Sequence, residues 1–178
     1  IRYHDPIPTF DYWRSSRMMA PTISITEFPF FTFLFADLHA HLMVMPFSIM
    51  ALGLGTSYLL HSGLARELWI KYQLPALICL GFIVGSLRWI SAWDFPTYLL
   101  LSMGVVFVAE FVVEGKVRWR SLAAGTWKGA VLLLSSTLAY LPLQLGSQTF
   151  YAGVIKSPET TPLWQYLATH GLFLFIIL

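Results

Sequence analysis

The sequence predicts an all-α bundle of helices that cross a membrane several times, and three observations support this prediction. Of the 178 residues, 57% are hydrophobic and only 11% are charged, whereas roughly a quarter of the residues are charged in globular proteins. The apolar residues form runs of about 20, and about 20 helical residues cross the hydrocarbon core of a bilayer. Short segments that are rich in charged residues, Gly or Pro separate these runs.

Five apolar runs are predicted as membrane spans, at residues 42–61, 74–92, 95–113, 122–143 and 167–178. The first run contains no carboxylate, Lys or Arg. Residues 1–41, which precede it, are predicted to form an extracytoplasmic loop and an interfacial segment, and residues 42–178 the transmembrane region. The chain does not begin with Met, and the fifth run reaches the last residue. We therefore expect a fragment of a larger polypeptide, with its last span truncated.

The charge and cysteine content exclude several classes of protein. The net charge of +2 is small and spread along the chain, so no basic patch indicates binding of nucleic acid. The only cysteine, Cys79, lies within an apolar run. A single cysteine excludes a disulfide framework and a zinc site built from several cysteines.

The distribution of basic residues predicts the orientation in the membrane. Hairpin connections put the N-terminal segment, the 93–96 turn and the 144–163 loop on one face, and the 62–73 and 114–120 loops on the other. The face with the 62–73 and 114–120 loops holds six Lys and Arg residues, if Lys128 near the end of the fourth run is included. The other face holds four. The positive-inside rule then makes the face with the 62–73 and 114–120 loops cytoplasmic. We expect a multi-pass protein of the plasma membrane with its acidic, His-containing face outside.

The most informative polar residues are Asp37, His39 and His41, which alternate immediately before the first span. In an extended segment all three side chains point to one side, as a metal site requires. In a helix only Asp37 and His41 share a face, and the flanking residues favour a helix from about residue 38. The sequence therefore predicts an Asp37–His41 pair with His39 turned away.

Two interpretations of this Asp/His segment remain open. The three side chains bind a metal, a phosphate-bearing lipid or a reacting hydroxyl, since ionisable groups at the mouth of a membrane helix are costly to desolvate. Alternatively, they are a hydrogen-bonded carboxylate at a helix start and two interfacial histidines. Residues 36–41 also resemble the first metal-binding motif of PHP-type and amidohydrolase-type barrels. The long apolar run that follows and the lack of further His/Asp clusters argue against such a soluble barrel.

Other polar residues on the same face are candidates for function or for helix capping. Glu27 precedes Phe28 and Pro29, where it would cap a short interfacial helix or take part in a site. Asp94, within the 93–98 segment Trp-Asp-Phe-Pro-Thr-Tyr, is predicted to cap the third span or to contact a ligand. Arg88 is expected to pair with Asp94 or Asp37, because an unpaired Arg near lipid is costly.

A pair of arginines in the N-terminal segment suits a phosphate ligand. Arg14 and Arg17 enclose two serines, a pattern that fits a phosphate or pyrophosphate, although lipid headgroups are the simpler partner. The chain has no Walker or GxGxxG spacing, so a nucleotide site is not indicated.

Four motifs together resemble a known family. Residues 10–17 (FDYWRSSR), 25–31 (ITEFPFF), 36–41 (ADLHAH) and 93–98 (WDFPTY) look like the YYY family of large prokaryotic multi-pass membrane proteins, which is grouped with the GT-C glycosyltransferases. The resemblance covers most of residues 10–175. It implies a GT-C-like helical enzyme that takes sugar from a polyprenyl-phosphate donor at the outer face.

The resemblance implies that Glu27, Asp37, His39, His41 and Asp94 belong to an active cleft, without assigning their roles. GT-C enzymes use an acidic residue of the first outer loop as base or metal partner, and this loop is expected outside the chain. Within the chain itself, the candidate catalytic residues are Asp37, Glu27 and Asp94. Candidate substrate-binding residues are Arg14, Arg17, His39, His41, Arg88, Trp93 and Tyr98. A divalent metal ion is a possible cofactor, with Asp37, His39 and His41 as its ligands. The expected partners are membrane lipid, the polyprenyl-phosphate sugar and the rest of the polypeptide.

Two other classes of function remain. A transporter would place its ionisable residues near the bilayer midplane, and a non-catalytic membrane scaffold would use Asp37 and His41 for stability alone.

Overall fold

The computed structural model describes residues 32–33, 38–63, 68–147, 160 and 162–178, and within these ranges the regular structure is helical, with no β-strand. The predicted all-α class is therefore confirmed. The chain divides into two compact units, one of residues 38–148 and one of residues 1–37 with 149–178.

The described residues within 38–148 contain five α-helices. These are α1 (Ala40–His61), α2 (Leu74–Ile90), α3 (Asp94–Glu114), α4 (Trp119–Leu138) and the short α5 (Leu141–Gly146). The π-helical turn Trp69–Gln73 leads directly into α2. In the other unit, the described residues contain α6 (Leu163–Ile177). Helices thus occur at all five predicted places, but a turn at residues 139–140 divides the predicted fourth span.

Within the described residues, three helical segments are long and apolar enough to cross a membrane, judged by length and composition: Ala40–His61, Trp69–Ile90 and Asp94–Glu114. They correspond to the first three predicted spans. Helix α4 contains Arg120 and Lys128, and α6 has only 15 residues. A membrane-spanning role for these two helices stays a prediction.

The helices of residues 38–148 alternate in direction. Ser62, after α1, contacts Gln73, before α2, so these two helices are antiparallel. Gly81 and Gly85 of α2 lie against Leu132 and Ser136 of α4, in the same order, while Gly125 and Gly129 of α4 lie against Phe107 and Met103 of α3, in the reverse order. Helices α1 and α3 are therefore parallel. The histidine end of the bundle, made of residues 38–41 and 88–94, therefore brings together the starts of α1 and α3 and the end of α2. The opposite, basic end contains residues 61–63, 68–73 and 114–120.

Helices α2 and α4 pack closely because two glycines face α4. A Cβ atom on Gly81 would lie 2.8 Å from the carbonyl oxygen of Leu132, and one on Gly85 would lie 2.3 Å from that of Ser136. Small residues four apart allow helix backbones to approach in membrane proteins. The Tyr140 hydroxyl also donates a hydrogen bond of 3.0 Å to the carbonyl oxygen of Phe82.

The core of the bundle is apolar and is centred on α2, which contacts α1, α3 and α4. Its fully buried side chains include Leu77, Leu80, Val84, Val106 and Leu132. Large apolar side chains also cover the outside, for example Ile49, Ile78 and Leu100. An extended apolar exterior on this scale is typical of a surface that contacts lipid.

Candidate functional site

His39 and His41 contact each other at the histidine end. Helix α1 begins at Ala40, and His39 precedes it in an extended conformation. The two Nδ1 atoms are 2.9 Å apart, and the rings stack with centroids 4.9 Å apart. The prediction that His39 turns away from His41 is therefore wrong. It assumed a helix from residue 38, whereas the extended backbone at His39 turns its ring towards that of His41.

The two imidazoles are at hydrogen-bond distance from each other, and this spacing is also close to that of two nitrogen ligands on one divalent metal. Metal–nitrogen bonds of about 2.0–2.1 Å separate two adjacent nitrogen ligands by roughly 3 Å, close to the observed Nδ1–Nδ1 distance of 2.9 Å. Within the described part of the chain, no group of three or more His, Cys, Asp or Glu residues is placed to hold a metal ion. The third predicted ligand, Asp37, lies outside the described residues.

Asp94 begins α3 and is half-buried at the same end. Its carboxylate accepts a hydrogen bond from the Ser91 hydroxyl, and α3 has no side-chain cap. The prediction that Asp94 caps this helix through its side chain is therefore wrong. Its charge still lies in the first turn, where the helix dipole favours an anion.

Arg88 lies near the end of α2, and its guanidinium is 5.9 Å from the centre of the Phe95 ring. The described residues contain no ion pair between Arg88 and Asp94, so this predicted pairing is wrong. A cation above an aromatic ring provides another favourable contact. A pairing with Asp37 falls outside the described residues.

Trp93 and Tyr98 lie on either side of the start of α3. The Trp93 side chain is 78% exposed. Tyr98 is half-buried and lines a cavity of about 220 Å³ between α1 and α3, together with Thr56 and Ser102. This cavity runs along α3 from Tyr98 to Val105 and reaches the second half of α1, and its lining combines apolar side chains with hydroxyl groups.

Four predicted site residues lie outside the described residues: Arg14, Arg17, Glu27 and Asp37. Their roles, and the Asp37–His41 pair, stay predictions. The described histidine end contains His39, His41, Arg88, Trp93 and Asp94, of which only His39 and His41 contact each other.

A second polar cluster, which the sequence analysis missed, lies inside the bundle towards the basic end. Lys128 of α4 forms an ion pair with Glu110 of α3 and donates a hydrogen bond of 2.6 Å to Gln73 Oε1. Its ammonium group also lies 5.1 Å from the centre of the Trp69 ring. Lys128, Glu110 and Gln73 are all buried. The cluster therefore links α3, α4 and the turn that leads into α2.

The position of Lys128 corrects the charge count behind the predicted orientation. Lys128 is buried within α4 and is not part of a loop. Its charge is tolerated inside the bundle because it pairs with Glu110. Without Lys128, five basic residues on the 62–73 and 114–120 face oppose four on the other. The positive-inside argument is correspondingly weaker, and the extracytoplasmic position of the histidine end stays a proposal.

Long apolar helices, an apolar exterior and an ion pair buried between helices define the class of multi-pass membrane proteins. Comparison with protein families supports this class: residues 3–178 match the family described as uncharacterized membrane protein (DUF2298), and the chain belongs to it. The resemblance to an uncharacterized membrane protein family is thereby confirmed. No curated protein and no solved structure matches the chain.

Proposed function

We propose that this chain is the part of a GT-C-like, membrane-embedded glycosyltransferase that contains its active cleft, using a polyprenyl-phosphate-linked sugar as donor. The observation that carries the proposal is the grouping of His39, His41, Arg88 and Asp94, from three helices, at one end of the bundle. This end would face the outside of the plasma membrane, where the phosphate of a lipid donor lies at the depth of the helix ends.

The proposed reaction is an inverting sugar transfer. Asp37 removes the proton of the acceptor hydroxyl, whose oxygen forms a bond to the anomeric carbon of the sugar. The bond between that carbon and the phosphate oxygen breaks, and polyprenyl phosphate leaves with the bonding electrons. Arg17 and the two histidines stabilise the negative charge on the departing phosphate.

The remaining candidates would bind a metal ion or the donor, or would serve as the base in place of Asp37. Asp37, His39 and His41 would hold a divalent metal, which supplies further positive charge to the leaving phosphate. Glu27 and Asp94 are the other carboxylates available as base. The side chains expected to contact the donor are Arg14, Arg88, Trp93 and Tyr98. The cavity beside Tyr98 offers a position for the apolar part of the lipid.

A transporter is less well supported by the position of the buried charges. Glu110 lies about one helical turn from the end of α3, whereas transporters place such residues near the bilayer midplane, often beside broken helices. A scaffold gives no reason for histidines, a carboxylate and a guanidinium to share one end of the bundle.

Sugar transfer by the full-length polypeptide that contains this chain, in membrane vesicles, tests the proposal. With a polyprenyl-phosphate-linked sugar as donor, Asp37→Asn is expected to lower the transfer rate by about 100-fold or more, because general acid–base catalysis contributes at least that factor. Glu114→Gln makes the same chemical change at the basic end, and it is expected to retain activity.

The outcomes separate catalysis from stability. Full activity of Asp37→Asn would remove Asp37 from the catalytic residues. An equal loss in both variants would point to a folding defect. A scaffold predicts that the donor leaves the melting temperature of the wild-type protein unchanged, whereas a donor that binds the folded state must raise it.

A further inference from the structure

The connection between α3 and α4, which we call the basic turn, contains five consecutive exposed residues: Lys116, Val117, Arg118, Trp119 and Arg120. Three cations thus alternate with two large apolar residues. The 114–120 segment contains only one carboxylate, Glu114, against these three cations. Among the described residues, none of the three cations forms an ion pair. The basic turn therefore presents positive charge that the described part of the chain does not neutralise.

Two arginines and a tryptophan of the basic turn line one open pocket. The pocket has a volume of about 440 Å³ and is lined by Arg118, Trp119 and Arg120. The Ser121 hydroxyl fixes the backbone beside it, because it accepts a hydrogen bond of 2.9 Å from the Arg118 N–H and donates one of 2.8 Å to the Arg118 carbonyl oxygen. Two arginines beside one opening suit a phosphate group, which a guanidinium binds through two hydrogen bonds at once.

The apolar residues of the basic turn indicate that this phosphate belongs to a lipid. Val117 is 68% exposed and Trp119 is 82% exposed. They follow the end of α3, which is long and apolar enough to cross a membrane. A phosphate dissolved in water would leave both side chains in water. The headgroup region of a bilayer accepts both kinds of residue, because Trp is enriched at membrane interfaces and the charged ends of Lys and Arg reach the headgroups.

We propose that the basic turn is a docking surface for the headgroups of anionic membrane lipids. The lipid phosphates lie beside the cations of Lys116, Arg118 and Arg120, and the side chains of Val117 and Trp119 lie in the apolar boundary beneath the headgroups. Basic clusters next to membrane helices attract anionic lipid in this way. The surface lies at the opposite end of the bundle from the histidine end, and it does not depend on the proposed glycosyl transfer.

Fluorescence quenching in lipid nanodiscs tests the docking surface. The full-length polypeptide carries a fluorophore at Val112→Cys, an exposed position in the last turn of α3, and its native cysteines, Cys79 included, are replaced by Ala. Each bilayer consists of phosphatidylcholine with a small share of tracer lipid. The tracer is either phosphatidylglycerol or phosphatidylcholine, with the same nitroxide quencher on its upper acyl chain. Because both leaflets have one composition, the result does not depend on which end of the bundle is cytoplasmic.

The phosphatidylglycerol tracer is expected to be enriched beside the native basic turn by about fivefold over the phosphatidylcholine tracer, because each Lys or Arg near the membrane surface attracts anionic lipid. The combined substitutions Lys116→Gln, Arg118→Gln and Arg120→Gln are expected to abolish this preference. Equal quenching by the two tracers beside the native turn would overturn the proposal. A preference that survives the three substitutions would also overturn it, since other residues would then attract the lipid.

Two controls separate a lipid surface from a site for a dissolved phosphate. Arg118→Lys with Arg120→Lys keeps the charge and is expected to keep the preference, whereas its loss would indicate a specific arginine–phosphate site. Sodium phosphate and sodium chloride at equal ionic strength are expected to weaken the preference equally, because both act by screening. Stronger suppression by phosphate would assign the pocket to a dissolved anion. Either of these contrary results would overturn the proposed lipid surface.

Discussion

Replacing Lys128 with Met is expected to lower the free energy of unfolding by about 3–5 kcal/mol, because removal of one partner leaves a buried charge uncompensated. In the native bundle, Lys128 contacts both Glu110 and Gln73, and Glu110 is 3% exposed. Without the ammonium group, the Glu110 carboxylate would have to be protonated or drawn towards the basic end. Either change disturbs the contacts between α3 and α4.

Two further variants separate the loss of the ion pair from a general effect of Met. The double variant Glu110→Met, Lys128→Met is expected to recover much of the stability, because a buried ion pair can be replaced by apolar side chains at little cost. Lys116→Met removes an exposed charge in the 114–120 turn and is expected to have little effect. Unfolding in detergent micelles, followed by circular dichroism, measures all three. Wild-type stability of Lys128→Met would contradict the buried ion pair.

The second large effect is expected from Gly85, where a Cβ atom would meet the backbone of α4. A Cβ atom at this position would lie 2.3 Å from the Ser136 carbonyl oxygen and 2.8 Å from the Tyr140 ring. Because a backbone atom must move, Gly85→Ala is expected to destabilise the bundle by about 1–3 kcal/mol, as overpacking does in other cores.

Gly53→Ala is the matched control for this prediction. Gly53 also lies within a membrane helix, but no atom lies within 4 Å of a Cβ built on it. Since Ala favours the helix, Gly53→Ala is expected to leave stability unchanged or to raise it slightly. The same unfolding measurement applies. Equal effects at residues 53 and 85 would rule out the close approach of α2 and α4.

The positions of the helices were predictable because length and composition alone determine a membrane span. The contacts between helices were harder to predict. Helices α1 and α3 are apolar on all faces, so no apolar stripe marks the side that packs inward. The burial of Lys128 against Glu110 was missed because it depends on which faces of α3 and α4 meet. The four-residue spacing of Gly81 and Gly85 was a readable signal for the α2–α4 contact.

The histidine end was predictable in part. The alternation of Asp37, His39 and His41 ahead of an apolar run indicated a polar site at the mouth of a helix. The orientation of His39 was predicted wrongly because it depends on where α1 begins, and a shift of two residues exchanges a helical for an extended backbone. The sequence also does not indicate that Arg88 contacts Phe95, since that contact depends on how α2 and α3 meet.

Polar residues at the start of α1, the end of α2 and the start of α3 lie at one end of the bundle. Distances between spin labels test this arrangement directly. Labels at Leu38 and Trp93, both exposed at the histidine end, are compared with labels at Leu38 and Val117. The 21 residues of α3 span about 30 Å at 1.5 Å per residue. The 38–93 distance is therefore expected to be clearly shorter than the 38–117 distance. A 38–117 distance equal to or shorter than the 38–93 distance would contradict it.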